Sequence, residues 1–431
     1  MSKLYIVGGN ELNGEITIPS AKNALLPILG ACVLVDGVVK INNFANFSDC
    51  NVMLQILSGL GAKIKFDDNA VLIDCTNLTD WTITEELANK LRSSFFTLGA
   101  ILGRFSLAKV AYPGGCNIGA RPVNYHLKAL RQLGVSIIDK HGYIYCNADK
   151  VNATTLHLDF PSVGVTENVM MASCVINGET IIHNCAKEPE IVDLQNFLNA
   201  CGANISGAGT DTINVKGVGK LLHSVEYECI GDRIIAGTYA IAVACCGGNV
   251  LLKNTDINHS TALINVLREA GVEVIEECVD ETSGNEFEAN KKGIRVISSS
   301  KLKSVPYIET MPYPLFPTDL QSQIVVMESI SCGNSVVSET IFESRFKVVP
   351  ELTKMGADII VKNNVANIKG VQALYGADVY ATDLRAGASL VIAGLVASGY
   401  TTINNVQYID RGYVNIEKDF SSVGANIKRL D

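Results

Sequence analysis

The sequence predicts an α/β protein of two similar domains, each built from three copies of one helix-and-strand repeat whose main helix is buried. Three observations predict this. A glycine signature recurs six times, an apolar helix pattern precedes it in each copy, and 431 residues exceed what one hydrophobic core usually organises. Regular recurrence along a whole chain is typical of a repeat architecture.

Each signature is a short amphipathic helix closed by a glycine. The six copies are "LSGLGAKI", "LRQLGVSI", "LNACGANI", "LREAGVEV", "LTKMGADI" and "FSSVGANI". Their glycines are Gly61, Gly134, Gly202, Gly271, Gly356 and Gly424, at successive spacings of 73, 68, 69, 85 and 68 residues. Because glycine readily adopts the left-handed conformation that ends a helix, each copy predicts a helix stop, with a strand beginning two residues later.

The helices upstream of the signature are apolar on nearly all sides, as in "RIIAGTYAIAVACC" and "LRAGASLVIAGLV", which indicates burial. A glycine turn and a β-branched strand follow them, although "LRSSFFTLGAILGRFSLAKVAYP" has a less clean turn. Grouping the copies three and three predicts a first domain over 22–230 and a second over 1–21 plus 231–431. Residues 1–21 look like strands without a helix, and we expect them to complete the last repeat.

Composition and charge exclude several classes of protein. Hydrophobic residues make up 48% and charged residues 18%, with no bilayer-length apolar run and no leader pattern at Met1, so a cytoplasmic location without membrane insertion is expected. A net charge of −9 argues against a broad nucleic-acid surface. The 13 cysteines are odd in number and are expected to be mostly reduced core thiols. The absence of CxxC, HExxH and GxxxxGK[ST] motifs predicts no metal and no P-loop.

The starts of the buried helices carry polar and basic residues. The predicted N-caps are Ser20, Ser162, Asp232, Thr318 and Asp383, and the first turns contain Lys22, Asn23, Arg233, Asp319 and Arg385. Stacked repeats should turn these helix starts to one side. Cations at helix N-termini are unfavourable unless an anion is bound, so the pattern favours a phosphate or carboxylate ligand. Ordinary capping remains the alternative for each cap residue alone.

Three arginines stand on connections after strands, namely Arg121, Arg345 and Arg411. Guanidinium groups favour bidentate contacts with carboxylates and phosphates, although a surface ion pair is the alternative for each. Cys116 lies in "PGGCNIGARP", a glycine-rich stretch that is typical of a lid over an anionic cleft. Nearby positive charge would lower its thiol pKa and make it reactive, the alternative being a bystander cysteine in a turn.

Nine motifs in order resemble the enolpyruvyl transferase family, and within it the UDP-N-acetylglucosamine 1-carboxyvinyltransferases. They are "SAKNALLPIL", "PGGCNIGARPV", "DFPSVGVTEN", "EPEIVDLQNFL", "GDRIIAGTY", "FPTDLQSQ", "ESRF", "ATDLRAGASL" and "YIDRGY". The resemblance covers Gly8 to Ile427 and implies an inside-out α/β barrel fold. It implies transfer of the enolpyruvyl group of phosphoenolpyruvate to the 3-hydroxyl of UDP-N-acetylglucosamine by addition and elimination, the first committed step of peptidoglycan synthesis. No metal or organic cofactor is implied.

The same resemblance implies roles for single residues. Lys22, Arg121 and Arg411, with Asn23 beside them, match residues that hold phosphoenolpyruvate. Cys116 matches the general acid at C3, which fosfomycin alkylates, and Asp319 matches the base for the sugar hydroxyl. The implied contacts to the nucleotide sugar are Arg92, Arg121, Pro122, Val123, Asn124, Tyr125, Ser162, Val163, Gly164 and the backbone of Ile341. Arg345 and Arg385 complete the expected substrate-binding set.

Three positions depart from the family pattern, and two other functions stay open. Asn124 and Tyr125 stand where aspartate and leucine are usual, and Ile235 replaces a usual glutamate, which bears on nucleotide affinity and is consistent with a second, diverged copy of the enzyme. The chain could act on another acceptor, or bind the nucleotide sugar as a silent regulator. The retained acid and base candidates, Cys116 and Asp319, favour an enzyme, and a monomer is the favoured oligomeric state.

Overall fold

The structure, a computed structural model, describes residues 2–114, 123–279 and 291–430. Strands and helices alternate along these ranges. The strands are β1 (Lys3–Val7), β2 (Leu12–Thr17), β3 (Val38–Asn42), β4 (Lys63–Asp67), β5 (Ala70–Asp74), β6 (Thr82–Ile83), β7 (Leu107–Ala111), β8 (Ser136–Lys140), β9 (Tyr143–Asn147), β10 (Thr155–His157), β11 (Gly178–His183), β12 (Ile205–Ser206), β13 (Thr212–Gly217), β14 (Val225–Glu228), β15 (Gly248–Lys253), β16 (Glu273–Val279), β17 (Lys291–Ser298), β18 (Tyr307–Thr310), β19 (Asn334–Glu339), β20 (Asp358–Lys362), β21 (Val365–Lys369), β22 (Asp378–Tyr380), β23 (Tyr400–Asn404) and β24 (Asn426–Leu430).

The helices are α1 (Lys22–Ala31), α2 (Ser48–Gly59), α3 (Glu85–Lys90), α4 (Thr97–Phe105), α5 (Asn124–Gln132), α6 (Val163–Ser173), α7 (Pro189–Ala200), α8 (Arg233–Cys246), α9 (Thr261–Glu269), α10 (Gln321–Ile330), α11 (Val349–Lys354), α12 (Leu384–Val396) and α13 (Ile416–Ser422). Short 3-10 segments precede some of them, including Arg92–Phe96, Thr318–Leu320, Arg345–Val348 and Val406–Arg411.

The described chain divides into two compact units. The first unit comprises residues 20–114 and 123–230, and the second comprises residues 2–19, 231–279 and 291–430. The first junction lies two residues before the boundary expected at 21/22. Ser20 lies in the first unit, where its hydroxyl donates a hydrogen bond of 2.8 Å to the Asn43 carbonyl.

Every sheet of the described chain has four strands and the same pairing pattern. The first unit holds the sheets β14-β3-β5-β4, β6-β7-β9-β8 and β10-β11-β13-β12, and the second holds β2-β15-β17-β16, β18-β19-β21-β20 and β22-β23-β1-β24. In each, the first two strands are parallel and the following two pairs are antiparallel. Six sheets of one topology are the structural counterpart of the six signatures.

The N-terminal strands complete two different sheets of the second unit. β1 lies between β23 and β24, with Ile6 opposite Thr401 on one side and Ile427 on the other. β2 pairs in parallel with β15, so that Ile16 lies opposite Leu252. The sequence led us to expect both in the last repeat, whereas β2 joins the fourth because that sheet needs the same parallel edge strand.

Buried helices form the core of each unit, with the sheets outside them. In the first unit α4 packs against α1 and α6, and in the second α8, α10 and α12 pack against one another. Nearly every residue of α6, α8 and α12 is buried, as their all-round apolar sequences predicted. The strands alternate in burial, as in β3, where Val39 and Ile41 are buried.

The six signature glycines all end helices in the left-handed region, with φ between +94° and +107°. A strand begins two residues after five of them and three residues after Gly202. The predicted helix stops are therefore confirmed, because side chains other than glycine rarely adopt this backbone conformation.

The predicted N-caps are only partly confirmed. Asp232 accepts from the backbone N–H groups of Ile234 and Ile235, and Asp383 caps α12 in the same way. Ser162 occupies the N-cap position of α6 but makes no side-chain cap. The predictions that Ser20 and Thr318 are N-caps are wrong. Ala21, and not Ser20, occupies the N-cap position of α1. Thr318 lies in a 3-10 turn before α10, and its hydroxyl donates to Glu339.

Two expectations from composition bear on the described residues. None of the helices in the described ranges has the length and apolar character needed to cross a membrane. The twelve cysteines in those ranges are free thiols, most of them buried. Burial raises the pKa of several of these thiols, including those of Cys75 and Cys174, to about 12.

Candidate functional site

The second unit holds a partly exposed carboxylate that two buried arginines bind. Arg345 Nη2 donates to Asp319 Oδ1 at 2.7 Å, and Arg385 Nη2 donates to Asp319 Oδ2 at 2.8 Å. The arginine side chains are 4% and 5% exposed, whereas Asp319 is 24% exposed. Each carboxylate oxygen therefore has its own guanidinium, and the carboxylate still reaches solvent.

Local structure places these three residues together. Asp319 lies in the 3-10 turn Thr318–Leu320 at the start of α10, and Arg385 lies in the first turn of α12, whose cap is Asp383. Arg345 begins the segment Arg345–Val348 after β19, and its guanidinium also stacks over the Phe342 ring at 5.1 Å. Stacked repeats bring the helix starts together, as the sequence predicted.

Charge is balanced within this group. Burial by itself lowers the pKa of Arg385, but the carboxylates of Asp319 and Asp232 and the Tyr413 hydroxyl outweigh burial and raise it. Arg385 is thus a permanent cation, and removing the Asp319 carboxylate would leave a buried charge without its partner.

Glu339 fixes the segment that carries Arg345. Its Oε2 accepts from the Thr318 hydroxyl at 2.8 Å, and its Oε1 accepts from the backbone N–H groups of Ile341 at 2.8 Å and Phe342 at 3.0 Å. Glu339 is buried at the end of β19. The Asp319 turn and the Ile341 backbone are therefore held by one carboxylate.

Arg411, also expected at the site, ends the segment Val406–Arg411 in the second unit and is partly buried. Two residues later the chain enters the core at Tyr413, which is 1% exposed. This segment follows β23 as Arg345–Val348 follows β19, so both arginines lie on connections after strands, as the sequence predicted.

In the first unit, Lys22 begins α1 and makes an ion pair of 2.7 Å between its Nζ and Oδ2 of Asp49. Both side chains are largely buried, and Asp49 lies in the first turn of α2. Asn23 follows Lys22 on α1 and is partly exposed. Asp49 therefore gives the largely buried Lys22 ammonium group a counterion within the first unit.

The elements expected to contact a nucleotide sugar lie together in the first unit. Gly164, the second residue of α6, lies so close to two aromatic rings that a Cβ there would lie 2.6 Å from Phe96 and 3.2 Å from His126. Phe96 ends the segment that starts with Arg92, and His126 lies in the first turn of α5. Five further expected contacts are on these elements: Val123 precedes α5, Asn124 and Tyr125 are exposed in its first turn, and Ser162 and Val163 adjoin Gly164. Ile341, in contrast, belongs to the second unit.

Three expected site residues, Cys116, Arg121 and Pro122, lie outside the described residues. Among the described thiols, Cys50 is close to Lys22, but burial raises its pKa to about 12 against the effect of the lysine. That thiol is protonated at neutral pH and does not act as a nucleophile.

No group of three or more histidine, cysteine, aspartate or glutamate side chains suited to a metal ion occurs in the described part of the chain. Five of the expected site residues within the described ranges carry a cationic side chain, namely Lys22 and Arg92 in the first unit and Arg345, Arg385 and Arg411 in the second.

Reasoning from the sequence missed Asp49 and Glu339. The sequence contained only a weak signal that Asp49 belongs to the site, because acidic residues are common in the first turn of any helix. Glu339 carried none, since a glutamate at the end of a strand predicts nothing about the loop that follows it.

Comparisons with known proteins agree with this architecture. The family model described as EPSP synthase (3-phosphoshikimate 1-carboxyvinyltransferase) matches residues 6–420. A protein of Caldanaerobacter subterraneus subsp. tengcongensis named UDP-N-acetylglucosamine 1-carboxyvinyltransferase 2 is 46% identical over 430 residues, covering 100% of both chains. A Clostridium botulinum protein named UDP-N-acetylglucosamine 1-carboxyvinyltransferase is 47% identical over 432 residues, again covering 100% of both chains.

Solved structures show the same fold. The enolpyruvyl transferase NikO from Streptomyces tendae superposes with a TM-score of 0.85 at 22% identity, over 100% of this chain and 99% of that chain. EPSP synthase from Acinetobacter baumannii gives a TM-score of 0.75 at 18% identity, over 100% of both chains. The predicted fold is confirmed, and the full-length similarity at 46–47% identity shows that the chain belongs to the UDP-N-acetylglucosamine 1-carboxyvinyltransferase family of enolpyruvyl transferases.

Proposed function

We propose that this chain transfers the enolpyruvyl group of phosphoenolpyruvate to the 3-hydroxyl of UDP-N-acetylglucosamine and releases phosphate, in the cytoplasm, as the first committed step of peptidoglycan synthesis. The observation that carries the proposal is the Asp319 carboxylate, held by Arg345 and Arg385 at the start of α10 and still open to solvent. Full-length similarity to relatives that bear this activity in their names supports the choice of acceptor.

The reaction is an addition followed by an elimination. A proton adds to C3 of phosphoenolpyruvate, C2 becomes electrophilic, and the oxygen of the sugar 3-hydroxyl bonds to C2 as its proton leaves. The resulting tetrahedral ketal then loses a proton from C3 and breaks the C2–O bond to phosphate, which restores the double bond. The protein has to supply an acid, a base and cations for the phosphate and carboxylate groups.

Asp319 is the proposed base for the sugar hydroxyl. Two guanidinium groups hydrogen-bond to its carboxylate and fix the position of both oxygens, which orients the group toward an incoming hydroxyl. Arg345 and Arg385 belong to the substrate-binding set in this proposal, and in the structure they also contact Asp319 directly. Arg411 completes the cationic groups that the second unit contributes.

In the first unit, Lys22 and Asn23 are proposed to bind phosphoenolpyruvate. The elements around Gly164 are proposed to bind the nucleotide sugar. Lys22 already has Asp49 as a buried counterion, which orients its ammonium group at the start of α1. Cys116 is the proposed acid at C3 and the residue that fosfomycin alkylates, and Arg121 the proposed neighbouring cation. No cofactor takes part in the proposed reaction.

The test is phosphate release from phosphoenolpyruvate with UDP-N-acetylglucosamine, with shikimate 3-phosphate, and with no acceptor. We expect release with the nucleotide sugar alone. Cys116→Ala is the matched variant: it should lose both this release and its covalent labelling by fosfomycin, which mass spectrometry detects on the wild-type chain.

The other outcomes separate the alternatives. Release with shikimate 3-phosphate alone would show that the chain acts on a different acceptor. Nucleotide-sugar binding without any phosphate release would show a silent binding protein, and Asn124 and Ile235 would then be the positions to revert to aspartate and glutamate.

A further inference from the structure

Next to Asp319, the second unit contains a buried cluster of three hydrogen-bonding side chains that no expectation from the sequence included. Thr238 lies on α8, Gln323 on α10, and Tyr413 just before α13. Thr238 and Gln323 are fully buried and Tyr413 is nearly so. Burying such groups is costly unless they are hydrogen-bonded. The Thr238 hydroxyl, the Tyr413 hydroxyl and Gln323 Nε2 are hydrogen-bonded, whereas Gln323 Oε1 has no partner among the described residues.

The directions of the hydrogen bonds follow from counting donors. The Thr238 hydroxyl has one hydrogen, which it donates to the Ile234 carbonyl at 2.8 Å. Its oxygen then accepts from Gln323 Nε2 at 3.0 Å, and the Tyr413 hydroxyl, 2.8 Å away, has to be the donor to it. Thr238 thereby uses its full capacity of one donated and two accepted bonds.

Both side chains that donate to Thr238 are also connected to Asp319. Gln323 Nε2 donates its second hydrogen to the main-chain carbonyl of Asp319 at 3.1 Å. The Tyr413 hydroxyl lies beside the guanidinium of Arg385, which itself holds Asp319 Oδ2. One hydroxyl therefore fixes both the backbone of Asp319, through Gln323, and the cation on its carboxylate, through Tyr413.

We propose that Thr238, Gln323 and Tyr413 are positioning residues for the Asp319 carboxylate. The inference rests on the proposed function, in which Asp319 takes the proton of the acceptor hydroxyl. A base displaced by a fraction of an ångström still allows substrates to bind but transfers a proton poorly. Loss of the cluster should consequently lower kcat and leave KM nearly unchanged.

The experiment compares Thr238→Val, which keeps the shape but removes the hydroxyl, with Thr238→Ser, which keeps the hydroxyl but removes a methyl group. We expect kcat to fall on the order of 10–100-fold in Thr238→Val and to stay within about threefold of wild type in Thr238→Ser. KM for both substrates should change less than about twofold in each. A purely structural role predicts instead that both variants lose activity in proportion to their loss of Tm.

A second pair of variants guards against a failure to fold. Tyr413→Phe removes the hydroxyl that faces Thr238, whereas Tyr239→Phe removes one from a neighbouring buried tyrosine whose hydroxyl donates to Asp419 at 2.6 Å. We expect a fall in kcat only in Tyr413→Phe, at similar Tm. If the wild type is active and the two variants within each pair have the same kcat, this inference alone is overturned. If the wild type is inactive, the proposed function is overturned and this inference with it.

Discussion

At the scale of single residues, burial decides which groups are charged. Glu328 is 1% exposed on α10, and burial raises its pKa to about 8, with partial compensation by the Val305 N–H that donates to Oε2 at 3.1 Å. It is the opposite of Asp319, whose carboxylate has two cationic partners. In the folded protein the Glu328 carboxyl group is therefore mostly protonated at neutral pH.

This difference predicts a dependence of stability on pH. The folded pKa of about 8 lies above the unfolded value of about 4.5, so the folded state binds more protons between these pH values and loses stability as pH rises through that window. Glu328→Gln imitates the protonated form. Its free energy of unfolding should be close to that of wild type near pH 4.5 and exceed it by about 4–5 kcal/mol above pH 8.

Thermal denaturation across this pH range measures the effect. The exposed Glu273→Gln on β16 is the control and should run parallel to wild type at every pH. A Glu328→Gln curve that stays parallel to wild type as well would show that Glu328 is ionised in the folded protein.

At the scale of elements, several of the residues proposed to act on the substrates lie at the starts of buried helices, as Lys22 does on α1 and Arg385 on α12. The helix starts in the second unit are linked to one another, α10 to α12 through Asp319 and Arg385, and α10 to α8 through Gln323 and Thr238. Such a start is stable only when its free N–H groups are satisfied, which Asp383 does for α12 by accepting from Arg385 and Ala386.

Removing that cap should destabilise the protein measurably. We expect Asp383→Ala to cost about 1–2 kcal/mol, or several degrees in Tm, because two N–H groups lose their acceptor. Ser162→Ala is the matched control, since Ser162 occupies an N-cap position without making a cap bond. Equal Tm values for the two variants would contradict the capping role.

At the scale of the whole molecule, the sequence was most informative where one physical cause recurs. Glycine at each signature and apolar helices upstream predicted the helix stops and the buried helices, because left-handed backbone and burial are local requirements. The fold and the family followed from these repeats and from the ordered motifs.

Contacts between distant parts of the chain could not be predicted in this way. Lys22 pairs with Asp49, Glu339 binds Thr318, and β2 joins the fourth sheet rather than the last. Each depends on which elements become neighbours, and several polar residues were equally suited as partners. Prediction from local sequence also failed at Ser20, because its hydroxyl donates to the Asn43 carbonyl and does not cap a helix N–H group.

The central claim is that Asp319 acts as the base. The most direct measurement is turnover and substrate binding in Asp319→Ala. Asp319→Asn is measured beside it, because asparagine preserves the size of the side chain next to the two buried arginines. The account predicts that both variants bind UDP-N-acetylglucosamine with affinity close to that of wild type. Phosphate release should fall about 10²–10⁴-fold in both. Near-normal phosphate release in a folded Asp319→Asn variant would contradict the account.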